Sequence, residues 1–418
     1  FLPVSKVVNT FKVRASYGSL GNQNTSSLYP TYSTIGTGTG SWIIDGTLAN
    51  IAWAPSLVSY NLSWEKIRTW NAGVDFGLFN NRLTGSFDYY IRKTDDMVGP
   101  SEKLPVVLGT AVPSSNNTNL KTFGWELELM WKDRLNNGLN YSARFTLADS
   151  RTKITRYSNP SGLIDGFYAG KYVGEIWGYE TIGIAQSDQE MAEHIGRLIN
   201  GGQSNLGQDW KAGDIMYKDL NEDGKIDAGS RTLQDHGDLK RIGNSTPRYN
   251  VGLELAADWK GFDIRMFWQG TLKRDYFQGS YYFWGANGRQ GPWFSTALKG
   301  HDDYFRNDEA SPLGTNLNSY YPRPLFNTDK NQQSQTKYLQ DASYLRLKNL
   351  QIGYSLPHNI VQKMGMQHLR IFASGENLFT ITSLIDFFDP ESIEGGSWGH
   401  GNVYPLSRTF SFGLNVTF

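Results

Sequence analysis

The sequence contains no cysteine, no long apolar run and no excess of charge, and each absence removes a class of protein. Without Cys there is no disulfide framework, no thiolate metal site and no Cys nucleophile. Forty basic and forty acidic residues leave a net charge of +0. That balance excludes the lysine- and arginine-rich surface on which nucleic-acid affinity rests. No stretch approaches the roughly 18 consecutive apolar residues of a spanning helix, and mean hydropathy is -0.47. Charged residues make up only 19% while aromatics reach 14%, so apolar surface is too plentiful for a disordered chain. The 418 residues begin at Phe1, with no basic segment, apolar stretch and cleavage site ahead of the first strand. The chain reads as a mature, processed or partial one, without signal peptide.

What is present is alternation. Phe11, Val13, Ala15 and Tyr17 share one parity, with Lys12, Arg14 and Ser16 on the other. The same pattern runs through Leu83–Ile91, Phe123–Trp131, Leu139–Leu147, Tyr249–Leu255, Phe262–Trp268 and Leu369–Ala373. One segment changes phase: Leu345 and Leu347 lie on one parity and Leu350, Ile352 and Tyr354 on the other. A β-bulge near Lys348–Asn349 or two short strands would explain it.

Alternation alone fits both a soluble sandwich and a membrane barrel. Three features favour the barrel. Short turns, at Asn80–Asn81, 132–138 and Lys260–Gly261, alternate along most of the chain with long connections at 21–60, 97–118, 273–336 and 381–408. Outer-membrane barrels sort their turns by length in this way. The segments 64–78 and 83–94 exceed the common strand of ~5–6 residues. Finally, Phe410, Phe412, Leu414, Val416 and Phe418 alternate with small and polar residues up to the last position, the pattern of an outer-membrane insertion signal. Trp64, Trp70, Trp131, Trp259 and Trp268 fall at or near expected strand ends, where interfacial anchoring accounts for them. Counting strand directions from both ends requires an even number of spanning strands between 151 and 247. Glu175–Ile184 and Asp214–Tyr217 are the candidates, which makes 12 strands, or 10 if neither spans. Between them Ser187–Asn200 reads as a short helix.

Candidate chemistry is sparse. Asp219, Asn221, Asp223 and Asp227, with Gly224 at the sixth position and Lys225 at the seventh, match the first nine positions of a calcium-binding loop. The twelfth position is Ser230 rather than Glu, so a remote carboxylate such as Asp235 or Asp238 has to complete the shell. Ca²⁺ in a structural role is the expected ion, with Mg²⁺ open, and a turn held by Asx hydrogen bonds is the alternative. No HExxH, GxSxG or P-loop occurs, and Glu126 and Glu128 read as a solvated wall, so no enzyme activity is expected. Trp284 and Trp293, within an aromatic 276–305 loop, and Trp42 and Trp398 are candidates for stacking on substrate; packing inside a folded loop is the competing account.

Several segments resemble the C-terminal half of the SusC/RagA family of TonB-dependent outer-membrane transporters: Phe11–Asn22, Leu62–Lys66, Leu78–Tyr90, Asn119–Glu126, Gly213–Ile226, Gly243–Tyr249 and Ser343–Leu350. The order and spacing cover nearly the whole chain. The resemblance implies an all-β, antiparallel transmembrane barrel, to which residues 1–418 contribute the C-terminal part with long extracellular loops. It implies 22 strands in the complete barrel, the plug and the TonB-interacting segment lying outside this sequence. It further implies import of a glycan or peptide beneath a SusD-like surface lipoprotein. The residues by themselves leave open a soluble glycan-binding β protein or a passive porin.

Overall fold

The computed structural model describes residues 7–23, 31–55, 57–101, 107, 112–286, 288, 295, 297–396 and 401–418. In chain order the first strands are β1 (Val8–Asn22), β2 (Thr37–Ile44), β3 (Thr47–Ala52), β4 (Glu65–Leu78), β5 (Leu83–Met97), β6 (Thr118–Arg134) and β7 (Asn140–Arg156). Then come β8 (Glu175–Gly178), β9 (Thr181–Ile184), helix α1 (Asp188–Arg197), β10 (Ile215–Tyr217) and β11 (Lys240–Asn244). The remainder holds β12 (Arg248–Trp259), β13 (Phe262–Lys273), β14 (Asp275–Phe277), α2 (Tyr281–Trp284), β15 (Leu339–Asp341), β16 (Tyr344–Ser355), α3 (His358–Val361), β17 (His368–Thr382) and β18 (Thr409–Thr417).

Ten of these strands form one antiparallel sheet, ordered β1-β4-β5-β6-β7-β12-β13-β16-β17-β18. Each strand pairs with the next spanning strand in the chain, so the sheet is an up-and-down wall. Its outer strands β1 and β18 do not pair with each other, so it is an open part of a barrel. The smaller of the two expected totals, ten, is the one observed. Glu175–Ile184 and Asp214–Tyr217 do not span. They are strands of 4, 4 and 3 residues that form two-stranded ladders above the wall. Their apolar pattern arises because Ile215 and Tyr217 are buried in a protein core, so it does not mark a lipid-facing stripe.

The turns sort completely by length. Connections 79–82, 135–139, 260–261 and 356–367 all lie at one end, and 23–64, 98–117, 157–247, 274–343 and 383–408 at the other. Lys260 and Gly261 both adopt positive φ, 49° and 88°. A two-residue hairpin requires this to match strand twist. The bulge is real and β16 is one strand: pairing skips Lys348, with Leu347 opposite Phe379 and Asn349 opposite Glu376. No helix among the described residues is long and apolar enough to cross a membrane.

The register assigns the two faces. Phe11, Phe76 and Leu129 are linked through β1, β4, β5 and β6, as are Val13, Val74, Phe87, Leu127 and Leu147. This face continues to Phe410, Phe412, Leu414 and Val416 on β18, opposite Gly375, Ala373, Ile371 and Leu369. Phe412 is 85% exposed, which is costly in water and favourable in hydrocarbon. The opposite face carries ion pairs that clip strands together. The Arg14 guanidinium donates to both oxygens of Asp75 (2.9 and 2.8 Å) and both of Asp88 (2.9 and 2.7 Å). Gly73 sits beneath it, where a Cβ would collide with the Asp88 carboxylate. Arg144 pairs with Glu128, and Arg370 reaches Asp263 across β16. A lumen wall and a lipid wall follow. Of the expected anchors, Trp131 and Trp259 fall at strand ends, whereas Trp268 is in the middle of β13.

Candidate functional site

The long connections fold into a cap with its own core. Connection 157–247 contributes Ile164, Tyr179, Ile215, Tyr217, Ile226 and Leu239; 274–343 contributes Phe283, Trp284, Tyr321, Tyr338 and Ala342; 383–408 contributes Leu384, Phe388 and Ile393. Aromatic rings meet mostly edge to face: Trp284 on Tyr338 at 4.7 Å, Phe283 on Tyr321 at 5.6 Å and Tyr320 on Tyr338 at 5.5 Å. That geometry suits the ring quadrupole. Helix α1 packs Met191 into a small second cluster with Ala185 and Met216. Its start is fixed by Ser187 Oγ, which accepts from Glu190 N (3.1 Å), while Glu190 accepts from Gln186 N (2.7 Å).

The first two connections are locked by a buried charge cluster. The Asp214 carboxylate is inaccessible and receives Arg323 Nε (2.7 Å) and Nη2 (2.8 Å), Asn331 Nδ2 (2.9 Å), Lys211 N (2.9 Å) and Lys330 Nζ (2.9 Å). Lys330, 1% exposed, also donates to the carbonyls of Gln208 and Asp209 and lies 4.5 Å over the Trp210 ring. Burial works to raise the Asp214 pKa, but the donors from Arg323, Asn331, Lys330 and Lys211 outweigh it and hold it below 3.8. The third connection is tied to the wall: Arg346, buried on β16, donates to Asp389 (2.8 Å) and Glu391 (2.7 Å), and Lys348 reaches Glu391 at 3.0 Å.

Against this core lies a cavity of about 370 Å³, lined by Trp284, His301, Asp302, Tyr304, Tyr321, Arg323, Phe326, Asn331 and Gln332 among others. Apolar rings form its walls, and the Asp302 carboxylate and the outer side of the Arg323 guanidinium face it, whereas the amides of Asn331 and Gln332 are held by Asp214 and Ile215 N and by Ala286 O and Gly288 N. The His301 ring is held by backbone: Nδ1 accepts from Leu298 N (2.9 Å) and Nε2 donates to the carbonyls of Tyr282 (3.0 Å) and Phe283 (3.1 Å). Burial lowers its pKa from 6.5, although those two carbonyls and Asp302 act the other way. The Trp284 Nε1 is buried with no hydrogen-bond partner among the described residues.

Trp284, 6% exposed, is packed in the cap core, and part of its ring lines the cavity. Trp42 is elsewhere, 79% exposed on the β2–β3 hairpin. Trp293 and Trp398 lie outside the described residues. His301, Arg323, Asn331 and Asp214 were not singled out from the sequence. Their hydrogen-bond partners are backbone atoms or side chains more than a hundred positions away, and no local spacing signals them.

The acidic loop is closed by its own carboxylates. Asp219 Oδ2 accepts from Gly224 N (2.8 Å), Asn221 Oδ1 from Asp223 N (3.2 Å), Asp223 Oδ1 from Lys225 N (3.1 Å) and Asp227 Oδ1 from Gly229 N (2.8 Å). Lys225 Nζ lies 2.6 Å from Asp227 Oδ2. Asp238 is buried and joins the two ends by accepting from Leu220 N (2.7 Å) and Asp227 N (2.9 Å); desolvation raises its pKa. Asp235 instead caps Ser230 N at 2.8 Å. Asp219 Oδ1 is buried without a partner. Among the described residues no group of three or more His, Asp, Glu or Cys side chains is arranged to hold a metal ion.

The family model for the TonB dependent receptor-like β-barrel matches residues 4–378. The chain is 29% identical to TonB-dependent receptor P3 of Formosa agariphila and 26% identical to TonB-dependent receptor SusC of Bacteroides thetaiotaomicron. Both alignments cover 100% of this chain but only 40% and 38% of those proteins. The solved RagAB peptide transporter superimposes with a TM-score of 0.69 at 23% identity, over 100% of this chain and 42% of that one. The chain therefore spans about two fifths of the relatives it matches. It belongs to the TonB-dependent receptor β-barrel family and is an integral protein of the outer membrane.

Proposed function

We propose that this chain is the C-terminal part of the single barrel domain of a SusC-like importer, completed elsewhere to 22 strands, a plug and a TonB-contacting segment. In that protein it carries glycans or peptides under a SusD-like surface lipoprotein. The observation that carries the reading is the fused cap: three connections at one end share a core and leave an aromatic-walled cavity beside Trp284, above a charged lumen wall. A passive porin needs no such cap. Aromatic faces beside the Asp302 carboxylate suit a glycan, whose rings stack while its hydroxyls pair. Arg323 and Asp302 suit the termini of a peptide equally well. Uptake of labelled oligosaccharides and of labelled oligopeptides, by cells with and without the full-length gene, separates the two. Purification through a tag on the receptor tests the lipoprotein. If neither substrate class depends on the gene, importer function is refuted.

The Phe410–Phe418 strand acts in this reading as the signal for the outer-membrane insertion machinery. Ca²⁺ is the ion proposed for the Asp219–Asp227 loop. The unpartnered Asp219 Oδ1 supports it, and the ion would displace the Lys225 ammonium from Asp227.

A further inference from the structure

The lipid-facing wall ends, at the long-loop side, in a row of cations set directly opposite one another. Lys93 on β5 pairs with Lys121 on β6, and Lys121 with Lys153 on β7. Lys93 and Lys121 follow directly on the apolar stripe at Ile91 and Phe123, and Lys153 has the parity of Leu147 with Asp149 and Arg151 between them on the same face. Arg68 of β4 continues the row opposite Lys93, and Arg151 sits one step lower opposite Phe123. Like charges directly opposite on a sheet repel, so such a row calls for counter-charge. Arg68 has it, in Asp95. Among the described residues, no carboxylate lies within ion-pair distance of Lys93, Lys121 or Lys153, whereas Arg151 has the carboxylate of Asp149 near it on the same face, a group paired in turn with Arg248.

Aromatic rings position three of these cations without neutralising them. Lys93 Nζ lies 5.4 Å from the centre of the Trp70 ring. Arg151 and Lys153 lie 5.6 and 5.7 Å from that of Tyr172. Tyr172 is brought there because the chain after β7 folds back on it, with Ile154 N donating to Lys171 O (2.8 Å) and Val173 N to Thr152 O (2.9 Å). Cation–π contact leaves the charge available to an anion.

Height fixes what that anion is. From Leu83 at the short-turn end to Lys93 is ten residues, about 34 Å along the strand and about 26 Å along the membrane normal at a tilt of ~40°. An outer-membrane apolar band is about 25 Å tall. The lysines therefore stand at its outer boundary, facing the headgroups, where a cation costs about 0–1 kcal/mol instead of the roughly 2–4 of the midplane. The ammonium groups come from strands about 4.8 Å apart, a spacing that lets neighbours share one phosphate. We propose that Lys93, Lys121 and Lys153, with Arg151, form a binding site for the phosphate of an outer-leaflet glycolipid whose acyl chains lie along the Tyr89–Trp125 stripe below.

The test uses the full-length receptor in detergent, with monophosphoryl lipid A, the same lipid dephosphorylated, and phosphatidylglycerol as probes, scored by native mass spectrometry. Wild type should retain monophosphoryl lipid A roughly tenfold or more better than a Lys93→Gln/Lys121→Gln/Lys153→Gln variant. The triple Arg variant should match wild type, and dephosphorylated lipid should not distinguish the three. Heat-dependent gel mobility reports whether each variant is folded, and Lys121→Gln alone serves if the triple variant is not. Equal retention by wild type and Gln variant overturns the site. So does equal binding of dephosphorylated lipid. Phosphatidylglycerol held as tightly, and with the same lysine dependence, refutes a glycolipid site in favour of a general anionic surface.

Discussion

Replacing Asp214 by Ala should open the cap without disturbing the barrel. The carboxylate is inaccessible and serves five donors, one of them the ammonium of Lys330, itself 1% exposed. Removing one member of a buried pair strands the other, a loss of about 3–5 kcal/mol. Lys330 keeps two carbonyls and the Trp210 ring, which places the loss at the lower part of that range. At 1.4 kcal/mol per tenfold, the local opening equilibrium shifts by about a hundredfold or somewhat more. The amides that report it are Ile215 N, bonded to Asn331 Oδ1 at 3.0 Å, and Tyr217 N, bonded to Gln203 Oε1 at 2.6 Å. Hydrogen exchange followed by mass spectrometry should show both becoming faster, with peptides from β5 and β6 unchanged. A double Asp214→Leu/Lys330→Met variant removes both buried charges and should recover most of the protection. The deficit that remains comes from Asn331, which loses an acceptor in a buried site, and not from Arg323, which is 26% exposed and can turn to water. If D214A leaves exchange at Ile215 and Tyr217 unchanged, the cluster is not what holds the two connections together. If the double variant is no better than D214A, stranded charge is not the cause.

Three further outcomes follow from the same structure. Acidification should loosen the cap beside His301. Its folded pKa lies below 6.5, so the unfolded ring takes up the proton first, and stability is lost as pH falls from about 6.5; the cap's thermal transition should drop over that interval in wild type and drop less in His301→Gln, the remainder coming from His194, whose pKa burial also lowers. Calcium should raise that transition relative to chelator, and Asp219→Asn should abolish the difference; an identical melt with and without the ion removes the loop from the list of cation sites. Truncating Phe418 and replacing Phe412 by Ser should lower the amount of heat-modifiable barrel in the outer membrane, measured by fractionation, whereas Ser411→Thr on the lumen face should not.

The wall was legible in the sequence because its information is local. On a strand, burial in lipid or lumen alternates with every residue, so Phe87, Tyr89 and Ile91 declare their face without any partner being known. The phase change around Lys348 was readable for the same reason. A bulge is a defect in a local period, and only the choice between a bulge and two strands needed the pairing of Leu347 with Phe379. The strand total was less secure. Ile215 and Tyr217 carry the pattern of a spanning strand, yet three residues cannot cross a bilayer. Their apolar character is spent on a core assembled from three separate connections.

That core explains what the sequence concealed. In the wall each strand pairs with the next spanning strand, so chain order names the partner even across the long connections between β7 and β12 and between β13 and β16. In the cap it does not: Asp214 and Arg323 are 109 positions apart, and Tyr179 meets Ser334 through a backbone bond of 2.8 Å. Aromatic density in 276–305 marked the region as important but could not separate packing from stacking on substrate, because one ring can do both. Trp284 gives an edge to Tyr338 and lines the cavity. The lysine row was hidden in a different way. Lys93 and Lys121 occupy the first polar position after an apolar stripe and Lys153 the third, where an ordinary strand end is expected. Only the register, which aligns Lys93, Lys121 and Lys153 at one height on one face, turns three unremarkable termini into a concentration of uncompensated charge at the membrane boundary.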